Sequence, residues 1–422
     1  MAEYAQMRDS GVPWIQSIPE PWGVRVLFQL ADQVKNKNKD LLERNLLSLS
    51  YGRIKRKDIN NPEGLLPESF DGYNIIEAND IVLRLTDLQN DHTSLRVGQS
   101  AERGIITSAY TTLRPSALIN PQYLYYVLHA YDLIKGFYGM GAGVRQGLNY
   151  DEVKTIKVPF PSMQEQTSIV AYLDDQIGQI DSIIAEAQAS IDEYKQWKAS
   201  VIFEAVTKGL FHDAPKRESG IEWIGAIPST WAIRALFQLV TQVKNKNRDL
   251  QEKNLLSLSY GKIKRKNIET TDGLLPASFD GYNIIEANDI VLRLTDLQND
   301  HTSLRVGRAT ERGIVTSAYV TIRPMKGINS EYLYYVLHAF DLKKGLYRMG
   351  SGVRQGLNYD EVKLIKIPYA PSTDQRSIVS YLNDRCEKID SVIDEKQSLI
   401  NDLEAYKRSL IYEIVTGKRK VV

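Results

Sequence analysis

The sequence contains the same unit twice, at a constant offset of 209 residues. Residues 71–98 are identical to residues 280–307, and residues 143–154 are identical to residues 352–363. No insertion or deletion interrupts the correspondence from Trp14 to Thr207. This period far exceeds the roughly 20–50 residues of solenoid repeats. Each copy is therefore predicted to be a domain with an attachment, and the two copies to pack about a pseudo-twofold axis, as the subunits of a dimer do.

The first part of each copy has the pattern of a mixed α/β domain. In the first copy, short apolar runs at residues 45–51, 81–85 and 105–107 predict strands, and residues 156–160 predict a closing strand. Residues 121–135 place their leucines and valine on roughly one face and predict a helix.

The second part of each copy has the pattern of one long helix. Ser162 and Ser372 each begin a segment with capping-box spacing, and Gly209 and Gly417 stand at helix C-cap positions. At about 1.5 Å per residue, such a helix is about 60 Å long. Apolar residues recur along it at coiled-coil spacing. In the first copy these are Leu173, Ile177, Ile180, Ile184, Ala187, Ile191, Tyr194 and Val201, broadened by Ile183 and Trp197, and in the second they are Leu382, Ile389, Ile393, Ile400, Leu403, Leu410 and Ile414.

Two such helices pair either parallel or antiparallel. We expect an antiparallel coiled coil, because the short linker at residues 211–220 must lead directly from the first helix into the second domain. The heptad spacing by itself fits self-association of the chain equally well. The predicted order is a globular domain at 1–161, a long helix at 162–210, a second globular domain at 211–370 and a second long helix at 371–422.

The composition is that of a globular protein of at least two domains, with 422 residues of which 43% are apolar and 25% charged. No apolar run is long enough to cross a bilayer, and the first residues lack the pattern of a signal peptide. Cys386 is the only cysteine, which excludes internal disulfides and thiolate zinc clusters and favours a cytoplasmic location. Because the net charge is only +1, a nucleic-acid partner must be indicated by local clusters.

Motifs for catalysis are missing from the sequence. There is no Pro-Pro dipeptide, which the Asn/Asp-Pro-Pro-aromatic motif of amino-methyltransferases requires, and no Walker lysine loop. The glycine run at 139–143 loses its first glycine to Arg348 in the second copy. The Glu-x-Lys triplet at 152–154 is interpreted as the start of a short helix rather than as a nuclease site. His92 and His129 lack the companions of a metal site, and His129 reads as part of a helix. We therefore expect neither an enzyme nor a metal site.

Four segments carry a resemblance to a known family. Residues 14–22, residues 220–231, the proline-rich step at 158–166 and the helix end at 406–417 resemble the matching segments of type I restriction–modification specificity subunits. Each segment alone is a weak signal. The order of domain, helix, domain and helix over the whole chain makes the resemblance strong.

The resemblance implies a DNA-recognition subunit without a catalytic centre or cofactor of its own. Each globular domain would read one half of a bipartite site in double-stranded DNA. The paired helices would form a spacer that docks two modification subunits, which methylate adenine with S-adenosylmethionine, while restriction subunits carry out ATP-driven cleavage. The alternatives are a related bipartite system in which methylase and nuclease are one polypeptide, and a pseudo-dimeric scaffold that binds only proteins.

Contact with DNA phosphates is expected at clusters of lysine and arginine. A run of charge is more often only a solvated face, so the clusters are candidates. In the first copy they are Lys35, Asn36, Lys37 and Asn38, and Arg53, Lys55, Arg56 and Lys57; in the second they are Lys244, Asn245, Lys246 and Asn247, and Lys262, Lys264, Arg265 and Lys266.

Base reading is expected where arginine, asparagine and glutamine side chains are dense. Residues 84–96 begin at the end of a predicted strand, and their plainer interpretation is a self-contained polar loop. Residues 138–147 form a glycine-rich loop, and their plainer interpretation is a tight turn. The candidates are Arg84, Thr86, Asp87, Gln89, Asn90, His92, Arg145 and Gln146, with Arg293, Thr295, Asp296, Gln298, Asn299, His301, Arg354 and Gln355 in the second copy. Candidate partner-binding residues on the helices are Tyr172, Trp197, Phe203, Tyr381, Tyr406 and Tyr412.

Overall fold

The computed structural model describes residues 4–60, 69–140, 147–211, 213–268, 278–349 and 356–421. The chain divides into two compact units. Unit 1 combines Met1–Ala187 with Ser398–Val422, and unit 2 is the continuous segment Gln188–Gln397. Each long helix is therefore shared between the units. The predicted division into four segments by sequence remains a prediction. None of the helices in these ranges is both long and apolar enough to span a membrane.

The described part of the first copy contains twelve strands and three α-helices. The strands are β1 (Met7–Asp9), β2 (Ser17–Pro19), β3 (Gly23–Val26), β4 (Ala31–Gln33), β5 (Leu47–Ser50), β6 (Arg53–Arg56), β7 (Asn74–Ile76), β8 (Ile81–Leu83), β9 (Val97–Gln99), β10 (Gly104–Ile106), β11 (Thr111–Pro115) and β12 (Lys157–Phe160). The helices are α1 (Pro121–Leu133), α2 (Tyr150–Val153) and α3 (Met163–Lys208). The predicted strands, the predicted helix and the short helix at the Glu-x-Lys triplet are all confirmed.

The second copy repeats this order. Its strands are β13 (Lys216–Glu218), β14 (Ala226–Pro228), β15 (Ala232–Ala235), β16 (Val240–Gln242), β17 (Leu256–Ser259), β18 (Lys262–Arg265), β19 (Asn283–Ile285), β20 (Ile290–Leu292), β21 (Val306–Arg308), β22 (Gly313–Val315), β23 (Val320–Pro324) and β24 (Lys366–Tyr369). Its helices are α4 (Ser330–Leu342), α5 (Gly345–Arg348), α6 (Tyr359–Val362) and α7 (Ser372–Val415). Residues 136–139 of the first copy, which match α5, form a 3-10 turn. The mixed α/β class and the internal repeat are confirmed.

A four-stranded antiparallel sheet, in the order β4-β11-β8-β9, lies at the centre of the first globular domain. Its middle strand β8 is buried along its whole length, as the apolar run Ile81–Leu83 requires. The β5–β6 hairpin lies against β9 where Gly98 leaves room for it, because a Cβ at Gly98 would stand 2.5 Å from Leu49 Cδ1. Leu49 and Val82 share a small apolar core with Ile76. The sheet therefore holds the hairpin close to the loop that joins β8 to β9.

Helix α1 covers the sheet and belongs to the main core of unit 1. Asn120 caps it by accepting hydrogen bonds from the backbone amides of Gln122 and Tyr123, at 2.9 and 3.2 Å. Tyr123 and Val127 are fully buried among the residues of this core. The same core contains apolar residues from the beginning of α3 and from the end of α7. The long helices are thus part of the folded domain as well as connections between domains.

The two long helices pair antiparallel. In unit 1, Leu173 near the start of α3 packs in one core with Leu410 near the end of α7. In unit 2, Val206 near the end of α3 packs with Leu382 near the start of α7. An early segment of each helix therefore meets a late segment of the other, which confirms the predicted antiparallel coiled coil.

An ion pair follows the seam within each unit. Lys407 bonds Asp181 in unit 1, and Lys198 bonds both carboxylate oxygens of Asp390 in unit 2 at 2.6 and 2.7 Å. The members of these pairs occupy equivalent positions of the repeat, so the seam is the same in both units.

The ends of the helices confirm most of the capping predictions and correct one. Ser162 accepts a hydrogen bond from the backbone amide of Glu165 at 3.3 Å, and Gly209 and Gly417 adopt φ values of +72° and +71°. The capping box predicted at Ser372 is wrong, because α7 begins at that residue and the position equivalent to Ser162 is a proline. The predicted broadening of the seam is also wrong, since Ile183 and Trp197 are 45% and 46% exposed.

Candidate nucleic-acid interface

A buried arginine organises the loop between β8 and β9. The Arg96 side chain is fully buried, and its guanidinium donates hydrogen bonds to the carbonyl oxygens of Thr86 at 2.6 Å, Asp87 at 3.2 Å and Asp91. Its Nε also donates to the Tyr138 hydroxyl at 3.2 Å. Residues 84–96 therefore form a loop wrapped around one guanidinium group, and we call this segment the reading loop. The plainer interpretation of a self-contained loop is thus correct for the backbone.

Unit 2 repeats this arrangement around Arg305. Arg305 is fully buried and donates to the carbonyl oxygens of Thr295 at 2.7 Å, Asp296 at 3.2 Å and Asp300, and to the Tyr347 hydroxyl at 3.1 Å. Residues 293–305 are therefore the second reading loop. The identical sequence is accompanied by the same hydrogen bonds from the buried arginine to these three carbonyl oxygens and to the tyrosine.

Two carboxylates hold Arg96, one at its backbone amide and one at its guanidinium. Asp132 on α1 accepts a hydrogen bond from the backbone amide of Arg96 at 2.6 Å, and its burial raises the pKa of the Asp132 carboxyl to about 6. The second carboxylate, Asp91, lies 3.7 Å from both Arg84 and Arg96. Hydrogen bonds from Ser94 lower the pKa of the Asp91 carboxyl, and the charge of Arg96 lowers it further. The loop is consequently tied to the helix at one end and closed on itself at the other.

Several polar side chains of the reading loop point outward. Thr86, Gln89, Asn90 and His92 are exposed. Asp87 has a positive φ of +57°, and its carboxylate accepts a hydrogen bond from the Asn90 amide at 2.8 Å. The His92 ring stacks on Tyr138, the residue that also holds the buried arginine, at a centroid distance of 5.4 Å. In unit 2 the exposed residues are Thr295, Gln298, Asn299 and His301, with the same Asn299–Asp296 bond and the same stacking of His301 on Tyr347.

The predicted glycine-rich segment ends beside the reading loop. Gly147 forms an antiparallel bridge with Thr86, and the backbone amide of Leu148 donates to the Leu85 carbonyl oxygen at 2.9 Å. A Cβ at Gly147 would stand 2.6 Å from that same oxygen, which explains the glycine at this position. The two predicted base-reading segments are therefore adjacent where the structure describes them. Arg145 and Gln146, with Arg354 and Gln355 in the second copy, lie outside the described residues.

The first basic cluster only partly faces outward. Lys35 and Asn36 are exposed, and Lys37 donates to the Gly72 carbonyl oxygen at 2.8 Å. Asn38 is only 2% exposed. Its side-chain amide donates a hydrogen bond to the Glu43 carbonyl oxygen at 3.0 Å and accepts one from the Glu43 backbone amide at 3.2 Å. The prediction that Asn38 contacts DNA is corrected, because both ends of its amide hold the loop. Unit 2 has exposed Lys244 and Asn245, Lys246 bonded to Gly281, and Asn247 buried on Glu252.

The second basic cluster lies on the β5–β6 hairpin, which we call the basic ribbon. Ile54 points into the core, so Arg53 and Lys55 are on the opposite, outer face, and Lys57 extends this face. Lys55 and Lys57 are exposed and form no ion pair within the described ranges, whereas Arg56 binds Glu102 through two bonds of 2.8 and 2.9 Å from its Nε. In unit 2 the β17–β18 hairpin has the same outer face, with Lys262, Lys264 and Lys266 exposed and Arg265 bound to Glu311.

One difference between the two copies is compensated inside the second globular domain. Where the first copy has Gln99 and Gln122, the second has Arg308 and Glu331. The Arg308 guanidinium donates to Glu331 at 2.8 Å and to Asn288 at 2.8 Å. The two substitutions thus form one new ion pair, and its arginine is engaged within its own domain. Sequence reasoning missed this pair and also missed the inward role of Arg96, although the offset of 209 residues pairs the changed positions.

Comparison with known proteins places the chain in a family. A family model described as "Type I restriction modification DNA specificity domain" matches residues 20–193, which residues 229–402 repeat at the same offset. The MjaVIII type I restriction enzyme specificity subunit of Methanocaldococcus jannaschii is 24% identical over 82% of this chain and 80% of that protein. The MjaX protein of the same organism, also named as a specificity subunit, is 22% identical over 96% of each chain. The chain belongs to the type I restriction–modification specificity subunits.

A solved structure supports the fold of this specificity subunit. A chain from a study of complex assembly and conformational transition of the type I R-M system has a TM-score of 0.65 to it, at 12% sequence identity. The match covers 94% of the specificity subunit and 98% of the other chain. The similarity therefore extends over both globular domains and both long helices, as the resemblance predicted.

The predicted partner-binding residues of the specificity subunit fall into two groups. Trp197, Tyr381 and Tyr406 are 46%, 38% and 44% exposed. Phe203 is half-buried beneath Lys343, whose Nζ lies 4.6 Å from the ring centroid, and the Tyr412 hydroxyl donates to the Trp14 carbonyl oxygen at 2.8 Å. Tyr172 is also half-buried, against the core of unit 1. The exposed group is the part of the prediction that stays available to another protein.

Among the described residues no cluster of His, Cys, Asp or Glu has the grouping of a metal site.

Acid should destabilise the specificity subunit through one buried histidine in each unit. Burial lowers the pKa of His129 and of His338 to about 4, with Lys407 and Lys198 as the second cause. As the pH falls below about 6.5, the unfolded chain takes up these protons before the folded chain does. The free energy of unfolding is therefore highest above about pH 6.5 and decreases steadily until about pH 4. At pH 4.5 the loss is about 2–3 kcal/mol per histidine.

The raised pKa of Asp132 acts with the opposite sign, because the folded state takes up that proton first. A comparison with His129→Gln and His338→Gln variants therefore isolates the histidines. Their melting temperatures, measured from pH 7.5 to 4.5, should fall less than that of the parent. Parallel curves would show that the histidines do not titrate differently in the folded and unfolded states.

Proposed function

We propose that this specificity subunit reads a bipartite DNA site whose two half-sites are the same or nearly the same sequence in inverted orientation. The observation that carries the proposal is the pair of identical reading loops, each held around a buried arginine by the same hydrogen bonds. Identical side chains on matching backbones present the same donors and acceptors, and so select the same bases. A protein with a pseudo-twofold repeat meets the twofold symmetry of duplex DNA with its two domains on opposite strands.

The outer faces of the basic ribbons supply the general affinity for DNA in this proposal. Each carries exposed lysines that no carboxylate neutralises among the described residues, at Lys55 and Lys57 and again at Lys264 and Lys266. Lysines of this kind release counterions from phosphates when they bind, which makes the affinity strongly dependent on salt. The exposed amides of the reading loops then supply the base contacts.

The chain acts through its partners in this proposal. Two modification subunits dock on the long helices and use S-adenosylmethionine to methylate adenine, and restriction subunits join them in the full complex. The specificity subunit has no catalytic centre or cofactor of its own and works in the cytoplasm. The exposed Trp197 and Tyr406, which occupy equivalent positions on α3 and α7, support docking on the helices.

A methylome from cells that carry this chain with its modification subunit tests the proposal. We expect one bipartite motif with methylated adenines, inverted half-sites and an unread spacer of constant length. Two unrelated half-sites, or direct repeats, would contradict the proposal and assign base reading to the segments that differ between the copies. The purified chain alone, incubated with methyl donor and DNA, should transfer no methyl group; turnover by the pure chain would contradict the non-catalytic role.

One difference between the copies allows a small departure from symmetry. Arg348 is exposed and stands next to Tyr347, where the first copy has Gly139. Within the described residues it forms no ion pair, unlike Arg308. We therefore propose that the half-site read by unit 2 has a stronger preference at one base, and that Arg348→Gly makes the two half-sites equal.

A further inference from the structure

The turn at the tip of the basic ribbon has an unusual residue. Tyr51 adopts a φ of +48° and is followed by Gly52 at +76°. Two-residue hairpin turns with two positive φ values favour Asn-Gly or Asp-Gly. For a bulky residue this region of backbone conformation is an outlier. Tyr260 and Gly261 repeat the arrangement in unit 2, with φ values of +46° and +76°. Both units therefore retain a strained tyrosine where asparagine would fit the turn better.

No contact among the described residues accounts for the tyrosine. The Tyr51 and Tyr260 side chains are each 73% exposed, which makes them the most exposed aromatic residues after Phe211 within the described ranges. Neither hydroxyl forms a hydrogen bond with another described residue, and neither ring packs against another aromatic ring there. A strained backbone position without internal compensation points to a functional contact.

The surroundings of the ring indicate the kind of contact. On one side is the outer face of the ribbon, where Arg53 and Lys55 stand opposite Ser50 and Ser48 on the neighbouring strand. On the other side is the reading loop, because a Cβ at Gly52 would stand 3.0 Å from Leu95 Cβ. Tyr51 and Thr93 also line the same cleft of about 550 Å³ in unit 1. The exposed ring thus lies between the outer face of the ribbon, where Lys55 forms no ion pair with a described residue and Arg53 lies 3.7 Å from Asp181, and the loop whose amides are expected to read bases.

We propose that Tyr51 and Tyr260 are aromatic wedges that enter the DNA, each stacking on a base at its own half-site. The inference rests on the proposed function, since it requires that the reading loops face DNA. Aromatic and apolar side chains inserted between base steps are a known means of gripping a duplex from a groove. Every base offers a flat π face, so the wedge adds affinity and fixes the position of the reading loop without reading sequence itself.

The substitution Tyr51→Asn separates the wedge from the fold. Asparagine suits a positive φ and an Asn-Gly turn suits this hairpin, so the melting temperature should stay equal or rise. The complex assembled with modification subunits should bind a duplex of its methylated motif about tenfold more weakly or worse. Tyr51→Phe keeps the ring and should bind within about twofold of the parent. Tyr260→Asn and Tyr260→Phe should behave in the same way at the other half-site.

A stacking signal identifies the contact directly. Duplexes with 2-aminopurine placed in turn at each position should show a change in fluorescence at one position per half-site with the parent and the Phe variants. Tyr51→Asn should remove the signal at one half-site only, and Tyr260→Asn at the other. Parent-like affinity and fluorescence in both Asn variants would overturn the wedge while leaving the methylated motif, and thus the proposed function, intact. Loss of assembly with the modification subunits, with DNA affinity unchanged, would also overturn it and assign the ring to a protein contact.

Discussion

Replacing Arg96 by methionine should abolish recognition of one half-site while leaving the rest of the chain folded. Methionine fills much of the same space but leaves the carbonyl oxygens of Thr86, Asp87 and Asp91 without their donor. Removing one member of a buried charged network typically costs about 3–5 kcal/mol. Because the bonds all lie within one loop and its neighbour Tyr138, we expect the loss to appear as local opening of the reading loop.

Hydrogen exchange across residues 84–96 and DNA affinity of the assembled complex measure this effect. Arg305→Met should open the second loop and remove the other half-site, so either single variant should end methylation of the intact motif. Arg84→Met is the matched control for stability, because Arg84 is partly exposed and its one ion pair with a described residue, Asp91, has a distance of 3.7 Å. It should leave the exchange of the loop within about 1 kcal/mol of the parent. A protected loop and normal affinity in Arg96→Met would show that the guanidinium does not set the shape of the loop.

Placing a carboxylate at both exposed helix aromatics should abolish assembly with the modification subunits. Trp197 and Tyr406 occupy equivalent positions of the repeat, and each is nearly half exposed. Aromatic anchors at the centre of an interface commonly contribute 2 kcal/mol or more each, roughly thirtyfold in affinity, and a desolvated charge there adds a further penalty. The variant Trp197→Glu with Tyr406→Glu should therefore elute as a free chain in size-exclusion chromatography with the partner.

The fold should tolerate these two changes, since the core of the seam is formed by other residues such as Leu173 and Leu410. The melting temperature of the double variant should stay close to that of the parent. Trp197→Phe with Tyr406→Phe keeps the aromatic surface and should assemble normally. If the glutamate variant still assembles, the modification subunits dock on a different surface. The half-buried Phe203 and Tyr412 are not substitutes, because Phe203 packs under Lys343 of the second globular domain and Tyr412 bonds to Trp14 of the first.

The fold was largely predictable from the sequence, because periodic patterns report periodic structures. The heptad spacing from Leu173 onward predicts a long helix whose one stripe is buried, and the apolar run at Ile81 predicts a buried strand. The same reasoning overstated the width of the seam at Ile183, where one more apolar residue meets solvent instead of a partner helix.

The candidate site was less predictable, because a polar side chain in a loop carries no periodic signal of its direction. Arg96 and Arg84 lie in one segment and have the same chemistry, yet the first is buried and the second is half-exposed. Asn38 shows the same difficulty in a basic run, since its amide closes a loop whose partner, Glu43, is an acidic residue five positions away. Only the tertiary contacts decide which of these groups remains free for DNA.

The division of the chain into units has a consequence for the order of folding during synthesis. Unit 2 is one uninterrupted segment, whereas unit 1 needs residues from the end of α7. There, Ile414 and Val415 enter its core, and Val415 accepts a hydrogen bond from the buried Tyr123 hydroxyl. Domains usually mature on the ribosome in the order of their sequence. Here the half that is translated first must wait, with an apolar surface uncovered, until the last turns of α7 leave the exit tunnel. A nascent chain that stops short of those turns can complete its second recognition domain but not its first.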